Sequence, residues 1–251
     1  PDSSGSSISP AILQKGIHSI KLHQITQFNK IKTNLKMKTK KKGIKKMRVT
    51  KIIAAFALTI LSFVTNVYSQ STGMGIEGGI NLANISTTPV FNTNSKTGFT
   101  IGGFADIGVS KVVSIKPGAR FIMKGFTFQN QFGTNYTESY SYIEVPLMIK
   151  AKIPLNQVKP YLEVGPTLSV QLSANGETTI NGQVQTQDFS AFYNAIDFGL
   201  YFGSGVEFRV APDMDLFTGF GYSIGFTNIS KGTTKINNNG FQMNTGIKFG
   251  L

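Results

Sequence analysis

The 251-residue chain has no cysteine and no tryptophan, and its two histidines, His18 and His23, both fall in the N-terminal stretch. From residue 70 onward there is neither thiol nor imidazole. Thiolate and imidazole metal sites, Cys–His pairs and Ser–His–Asp triads are excluded for that part of the chain, and with them the hydrolases that need a histidine base. Only carboxylate chemistry survives. Disulfides are excluded too, so an exported chain of this kind is held by packing or by a membrane. Acidic residues are scarce, 12 Asp+Glu against 25 Lys+Arg, for a net charge of +13. The location of that charge removes the nucleic-acid partner it invites. Residues 1–69 hold 13 of the basic side chains and one acid, Asp2, whereas from residue 70 on 12 basic and 11 acidic groups nearly cancel. A duplex-binding surface needs its basic groups on the folded face.

Long apolar runs are also lacking, with one exception. Lys45-Lys46-Met47-Arg48-Val49-Thr50-Lys51 leads into an apolar run over residues 52–64, followed by Asn66-Val67-Tyr68-Ser69. A cationic start, a short apolar stretch and small or polar residues form the order of a secretory signal. The run is shorter than the roughly 20 residues a helical membrane span requires. Residues 47–69 therefore read as a signal peptide cleaved near Ser69. Residues 1–46 open with Asp2-Ser3-Ser4-Gly5-Ser6-Ser7, end in a Lys-rich tract and carry no sustained apolar period. They read as a disordered extension, or as upstream sequence ahead of Met47.

Residues 70–251 form the one folded domain expected, and its period is two rather than 3.6. Phe241, Met243, Thr245, Ile247, Phe249 and Leu251 alternate with Gln242, Asn244, Gly246, Lys248 and Gly250. The same split recurs around Ile76, Ile101, Ile115, Ile149, Leu162, Phe202 and Leu216, giving eight strands. Tight joins near Ser110, residues 154–157 and Ala211-Pro212 alternate with long polar joins over residues 85–96, 127–137, 173–194 and 227–239. This predicts an all-β, eight-stranded antiparallel up-and-down transmembrane β-barrel, with the termini at the short-turn end.

Alternation alone does not say which face is inside, and a soluble secreted lipocalin-like binding barrel would reverse it. The polar face carries Glu77, Asp106, Lys116, Arg120, Lys124, Glu144, Lys150, Glu163, Asp197, Glu207, Arg209 and Lys248, with Lys152 and Asp215 beside them. Balanced charges of this kind fit a narrow lumen filled by ion pairs. The glycines on the same face, among them Gly75, Gly102, Gly219, Gly221 and Gly246, leave room for long side chains inside. On a water-facing exterior they would only weaken the strands. The other face is rich in Phe, Ile and Leu, as lipid contact requires.

Several strings carry a family resemblance. Ser141-Tyr142-Ile143-Glu144-Val145-Pro146-Leu147-Met148-Ile149-Lys150 resembles the fourth-strand signature of the PorT-like outer-membrane β-barrel family of Bacteroidetes-type bacteria, with Tyr142, Glu144, Pro146, Leu147 and Lys150 as its most specific positions. Lys116-Pro117-Gly118-Ala119-Arg120-Phe121 with Lys124-Gly125 is similar to that family's third strand. Pro160-Tyr161-Leu162-Glu163-Val164-Gly165-Pro166 is similar to the fifth, and Asp197-Phe198-Gly199-Leu200 with Gly203-Ser204-Gly205-Val206-Glu207 to the sixth. The resemblance implies a Gram-negative outer-membrane barrel surrounded by lipid, with envelope proteins as candidate partners. It does not imply one activity, although the family's namesake is linked to type IX secretion and gliding.

The expectation is thus a non-enzymatic outer-membrane protein without cofactor or metal, structural, accessory or binding through its loops. A narrow small-solute pore is the alternative. Pro146 predicts a bulge or local twist in its strand. Residues 178–187, centred on Asn181-Gly182, predict a small hairpin above the membrane whose Gln183, Gln185 and Gln187 are candidates for outside contacts. Tyr136, Tyr140, Tyr142, Tyr193 and Tyr222 are expected to include an interfacial girdle.

Overall fold

The computed structural model describes residues 72–129, 135–180 and 183–250. The expectations for residues 1–46 and 47–69, and the Asn181-Gly182 turn itself, lie outside the described residues. Among the described residues nine strands follow one another: β1 (Thr72–Thr88), β2 (Asn94–Gly108), β3 (Val113–Gln129), β4 (Asn135–Lys152), β5 (Val158–Ile180), β6 (Gln183–Asp188), β7 (Ile196–Ala211), β8 (Met214–Gly225) and β9 (Lys235–Gly250). Every pairing is antiparallel. Eight strands close into a ring in the order β1-β2-β3-β4-β5-β7-β8-β9, with β9 returning to β1. The ninth, β6, folds back on the upper half of β5, with Ile180 opposite Gln183. It is the hairpin expected from Asn181-Gly182.

Period two places alternate side chains on opposite faces, and exposure decides which face is inside. Ile76, Leu162, Phe220 and Phe241 on the outer face are 63%, 66%, 68% and 63% exposed, whereas Glu144 and Lys150 are each 1% exposed. The barrel is inside-out relative to a soluble one: its apolar side chains point away from the axis and its charges line the lumen. Phe202, Tyr222 and Phe241 form a ring-to-ring row across β7, β8 and β9 on that outer face.

The strands run well beyond the apolar band. A membrane crossing needs about 9–11 residues, whereas β5 has 23 and β4 has 18. Much of what reads as long polar loop is strand: β1 stays paired with β9 through Thr88 opposite Lys235. Backbone ladders pair regardless of side-chain polarity, so the apolar pattern marks only the lipid-facing part of each strand. The long-loop expectation is corrected accordingly. Residues 89–93 link β1 to β2, nine residues, 226–234, remain between β8 and β9, and the connection from β5 to β7 contains β6.

Pro146 produces no register shift. The β4 ladders hold one register on both sides of it, with Pro146 opposite Thr167. The irregularity in β4–β5 lies higher, at Ser141/Tyr142, where Leu172 is the extra residue of β5.

Candidate functional site

The lumen is built in layers. At the end holding Thr72 and Gly250, Lys248 lies 2.7 Å from Glu207, 3.0 Å from Asp215 and 3.5 Å from Asp106. Lys152 joins Asp106 at 3.2 Å, Lys159 joins Asp215 at 2.9 Å, and Lys150 donates to Glu207. Above this group sits an aromatic layer of Phe104, Phe217 and Tyr161, with the two phenylalanine rings edge-on at 5.5 Å. Above the rings lies a second ionic network. Glu163 and Glu77 hold Lys116 at 3.6 and 2.9 Å, Glu77 lies 3.5 Å from Arg120, and Arg120 donates through Nε and Nη2 to Glu144 at 2.9 and 2.6 Å. Lys124 continues the network to Glu144 at 3.0 Å and Asp197 at 3.3 Å.

Strand register sets two of these pairs directly, Arg120 facing Glu144 and Asp215 facing Lys248 on neighbouring strands, and it also places Lys150 across from Glu163. Opposite charges directly across a ladder stabilise the register, and like charges there oppose it. Each of four cations also stacks on a ring. Lys116 is 4.3 Å from the centre of Phe104, Lys150 is 3.9 Å from Tyr161, Lys124 is 5.1 Å from Tyr142 and Arg120 is 5.6 Å from Tyr201. Carboxylates neutralise these cations and ring faces provide the remaining contact.

Eleven of the twelve charged residues singled out in the sequence are thereby buried in the lumen. Arg209 is the correction. Its side chain is half exposed at the termini end of β7, beside the register shift at Arg209/Ala211, and reaches Asp215 only at 3.5 Å. The strand ends there, so its side chain emerges into a polar vestibule of about 110 Å³ shared with Lys159, Asp213 and Asp215. Of the signature residues, Tyr142, Glu144, Pro146 and Lys150 are buried toward the lumen, and Leu147 points outward, 49% exposed.

The tyrosine girdle is the second correction. Tyr140 and Tyr142 are fully buried and Tyr193 nearly so. They form the upper plug with Ile85, Ile122, Phe126, Ala174 and Ile229. Within it the Glu138 carboxylate accepts hydrogen bonds from Tyr136 at 2.6 Å and from Tyr140 and Tyr193. The signal was in the sequence: Tyr140 and Tyr142 share parity with Glu144, and so belong inside. Tyr222 is the one of the five on the lipid face.

The lumenal aromatics Phe104, Tyr161, Tyr201 and Phe217 are also absent from the sequence-level set, although each shares parity with a charged neighbour. Their presence changes what the glycines are for. A Cβ on Gly75 would lie 2.6 Å from the Phe104 ring and one on Gly246 2.6 Å from the Phe217 ring, while those on Gly219 and Gly221 would lie 2.5 and 2.4 Å from the hydroxyls of Tyr161 and Tyr201. These glycines clear space for rings. Gly102, against the Arg120 stem at 2.4 Å, clears it for a charged chain as expected.

The middle of the lumen retains a void of about 10 Å³ between Glu77, Lys116, Arg120 and Tyr201. A wider concavity, about 770 Å³, lies elsewhere, on the apolar outer face around Leu162, Val206, Thr218 and Phe220.

The pattern of outer membrane protein beta-barrel domains matches residues 68–231. The chain belongs to that family. As an outer-membrane barrel it resides in the outer membrane of a Gram-negative bacterium, its apolar face in lipid and its paired ends separated by the bilayer. No curated protein matches it. Among solved structures, Neisserial surface protein A is 14% identical over 71% of this chain and 96% of its own, with a TM-score of 0.42. The attachment invasion locus protein Ail of Yersinia pestis is 11% identical over 72% and 100%, with a TM-score of 0.37. OprG of Pseudomonas aeruginosa is 8% identical over 73% and 97%, with a TM-score of 0.49.

Proposed function

We propose that this outer-membrane barrel has a closed lumen and acts through its surfaces, as a structural or secretion- or motility-linked accessory of the PorT-like kind or as a binder through its outer hairpin. The filled lumen carries this reading. Two ionic networks, the aromatic layer between them and the Tyr140–Tyr193–Ile229 plug occupy its length, and the mid-lumen void of about 10 Å³ is no larger than one water needs. A solute pathway requires a continuous gap. The lumenal carboxylates bond to lysines and arginine rather than facing a cleft, which favours a structural network over acid–base work.

The parts left to meet partners are the lipid face, the periplasmic turns and the outward end, where all six residues of β6 are exposed. Two measurements test the reading. Planar bilayers containing the purified barrel should show no conductance steps above the bare membrane. Purification from the native envelope in mild detergent should recover stoichiometric partners, and replacing residues 183–188 with a Gly-Ser turn should release any partner held by the hairpin without disturbing insertion. Stepwise conductance would replace this reading with the narrow pore.

A further inference from the structure

Among the described residues, β6 is the one strand that pairs on a single side. Its phase is fixed by the hydrogen bond that the Phe189 N–H donates to the Ala174 carbonyl at 2.8 Å. In an antiparallel ladder, residues alternate between those whose backbone groups face the partner strand and those whose groups face away. Counting back from Phe189, Gln187, Gln185 and Gln183 turn their N–H and C=O toward β5. Val184 and Thr186 turn theirs outward, to an edge that no other strand among the described residues covers. Exposed edges of folded proteins are ordinarily blunted by lysine, proline, a bulge or a covering segment. Residues 183–188, Gln-Val-Gln-Thr-Gln-Asp, contain neither lysine nor proline, pair without a register shift and are exposed throughout.

We propose that the free edge of β6 is a docking site for an extended, neutral-to-basic polypeptide segment of another protein, which adds to the hairpin as a further antiparallel strand through Val184 and Thr186. This rests on the reading that the outer hairpin meets partners, and it names how. Charge selects the class of segment: Glu177 and Asp188 are the only charged residues between 173 and 195, so the hairpin is net acidic. Geometry disfavours a second copy. Copies in one membrane are related by rotation about its normal, and strands tilted about 40° would then cross at about 80° instead of aligning. The partner strand therefore comes from a segment free to choose its direction.

The test uses the mature protein in nanodiscs and the peptide Lys-Thr-Val-Thr-Val-Thr-Lys as probe, followed by amide hydrogen exchange. Without peptide, Val184 and Thr186 should exchange about tenfold or more faster than Gln185, whose N–H is already bonded to β5. With peptide, exchange at Val184 and Thr186 should slow by about tenfold or more. Thr186→Pro removes an outward N–H and leaves the β5 ladder intact, so it should abolish the added protection while the hairpin persists. Gln185→Pro should instead unpair β6. Failure of the peptide to protect Val184 and Thr186 at millimolar concentration, or full protection in Thr186→Pro, overturns the edge-docking proposal. Protection that rises with protein concentration alone assigns the edge to a second copy and overturns the proposed partner. Loss of a native partner on hairpin replacement but not in Thr186→Pro would sink the edge mechanism and leave the hairpin reading standing.

Discussion

Glu144 is the residue whose loss the lumen should feel most. Its carboxylate is 1% exposed and accepts from Arg120 Nε and Nη2, from Lys124 at 3.0 Å and from the Ser169 hydroxyl at 2.8 Å. Glu144→Ala removes all four contacts and leaves two buried cations under-compensated: Arg120 keeps Glu77 at 3.5 Å and Lys124 keeps Asp197 at 3.3 Å. Removing one member of a buried ion pair costs about 3–5 kcal/mol, because the orphaned charge remains desolvated. The two cations share that loss, and the surviving partners set the expected value near the lower end, about 3 kcal/mol. Glu144→Gln preserves shape and one acceptor oxygen and should lose about half as much.

The chain has no tryptophan, so unfolding is read by circular dichroism in the far ultraviolet, with urea titration of the barrel in liposomes. A Glu144→Ala midpoint equal to that of the parent, with unchanged slope, would refute the claim that this network bears on stability. The double variant Arg120→Met/Glu144→Leu sharpens the test. It removes charge of both signs together, so it should lose less than either single substitution.

Other substitutions probe other layers. Gly246→Val drives a side chain into the Phe217 ring and should destabilise by about 1–3 kcal/mol by overpacking, read in the same titration. Phe220→Lys, on the lipid face, should lose about 2–4 kcal/mol, whereas Gln185→Lys on the exposed hairpin should leave the unfolding midpoint unchanged. Glu138→Leu removes the acceptor shared by Tyr136, Tyr140 and Tyr193 and should cost about 1–3 kcal/mol, with faster amide exchange at residues 189–195. N-terminal sequencing of the protein from the envelope should begin at Gln70.

How much of this was legible depended on what period two records. It records faces, so the eight-strand ring and the lumenal placement of Glu77, Lys116, Arg120, Glu144 and their partners follow from the pattern. It does not record where a strand ends once both faces are polar, which is why β1 and β5 run far past their apolar residues. Composition misled where parity would have served. Tyrosines suggested a headgroup girdle, yet Tyr140 and Tyr142 stand four and two positions before Glu144 and share its face. Arg209 shares parity with Glu207, but it sits at the last turn of its strand, where facing inward means facing a mouth. Glu138 and Lys159 fell outside the expected strands, so their partners emerged only from the closed ring.

The charged interior has a further consequence for how the chain finds its register. In a barrel with lipid outside, an apolar lumen would make the two faces of every strand alike, and slipping one residue would change little. Here a one-residue slip of β3 carries Lys116, Arg120 and Lys124 together onto the lipid side, at about 2–4 kcal/mol each near the midplane. That penalty exceeds the net stability any single ion pair supplies, since buried pairs recover much of their worth as desolvation loss. The networks therefore act chiefly by making wrong registers costly. The double variant Arg120→Met/Glu144→Leu separates the two roles: it should unfold near the parent midpoint yet assemble less uniformly, giving more than one folded band on cold gel electrophoresis. A single band with full folding yield would show that the turns and glycines alone set the register.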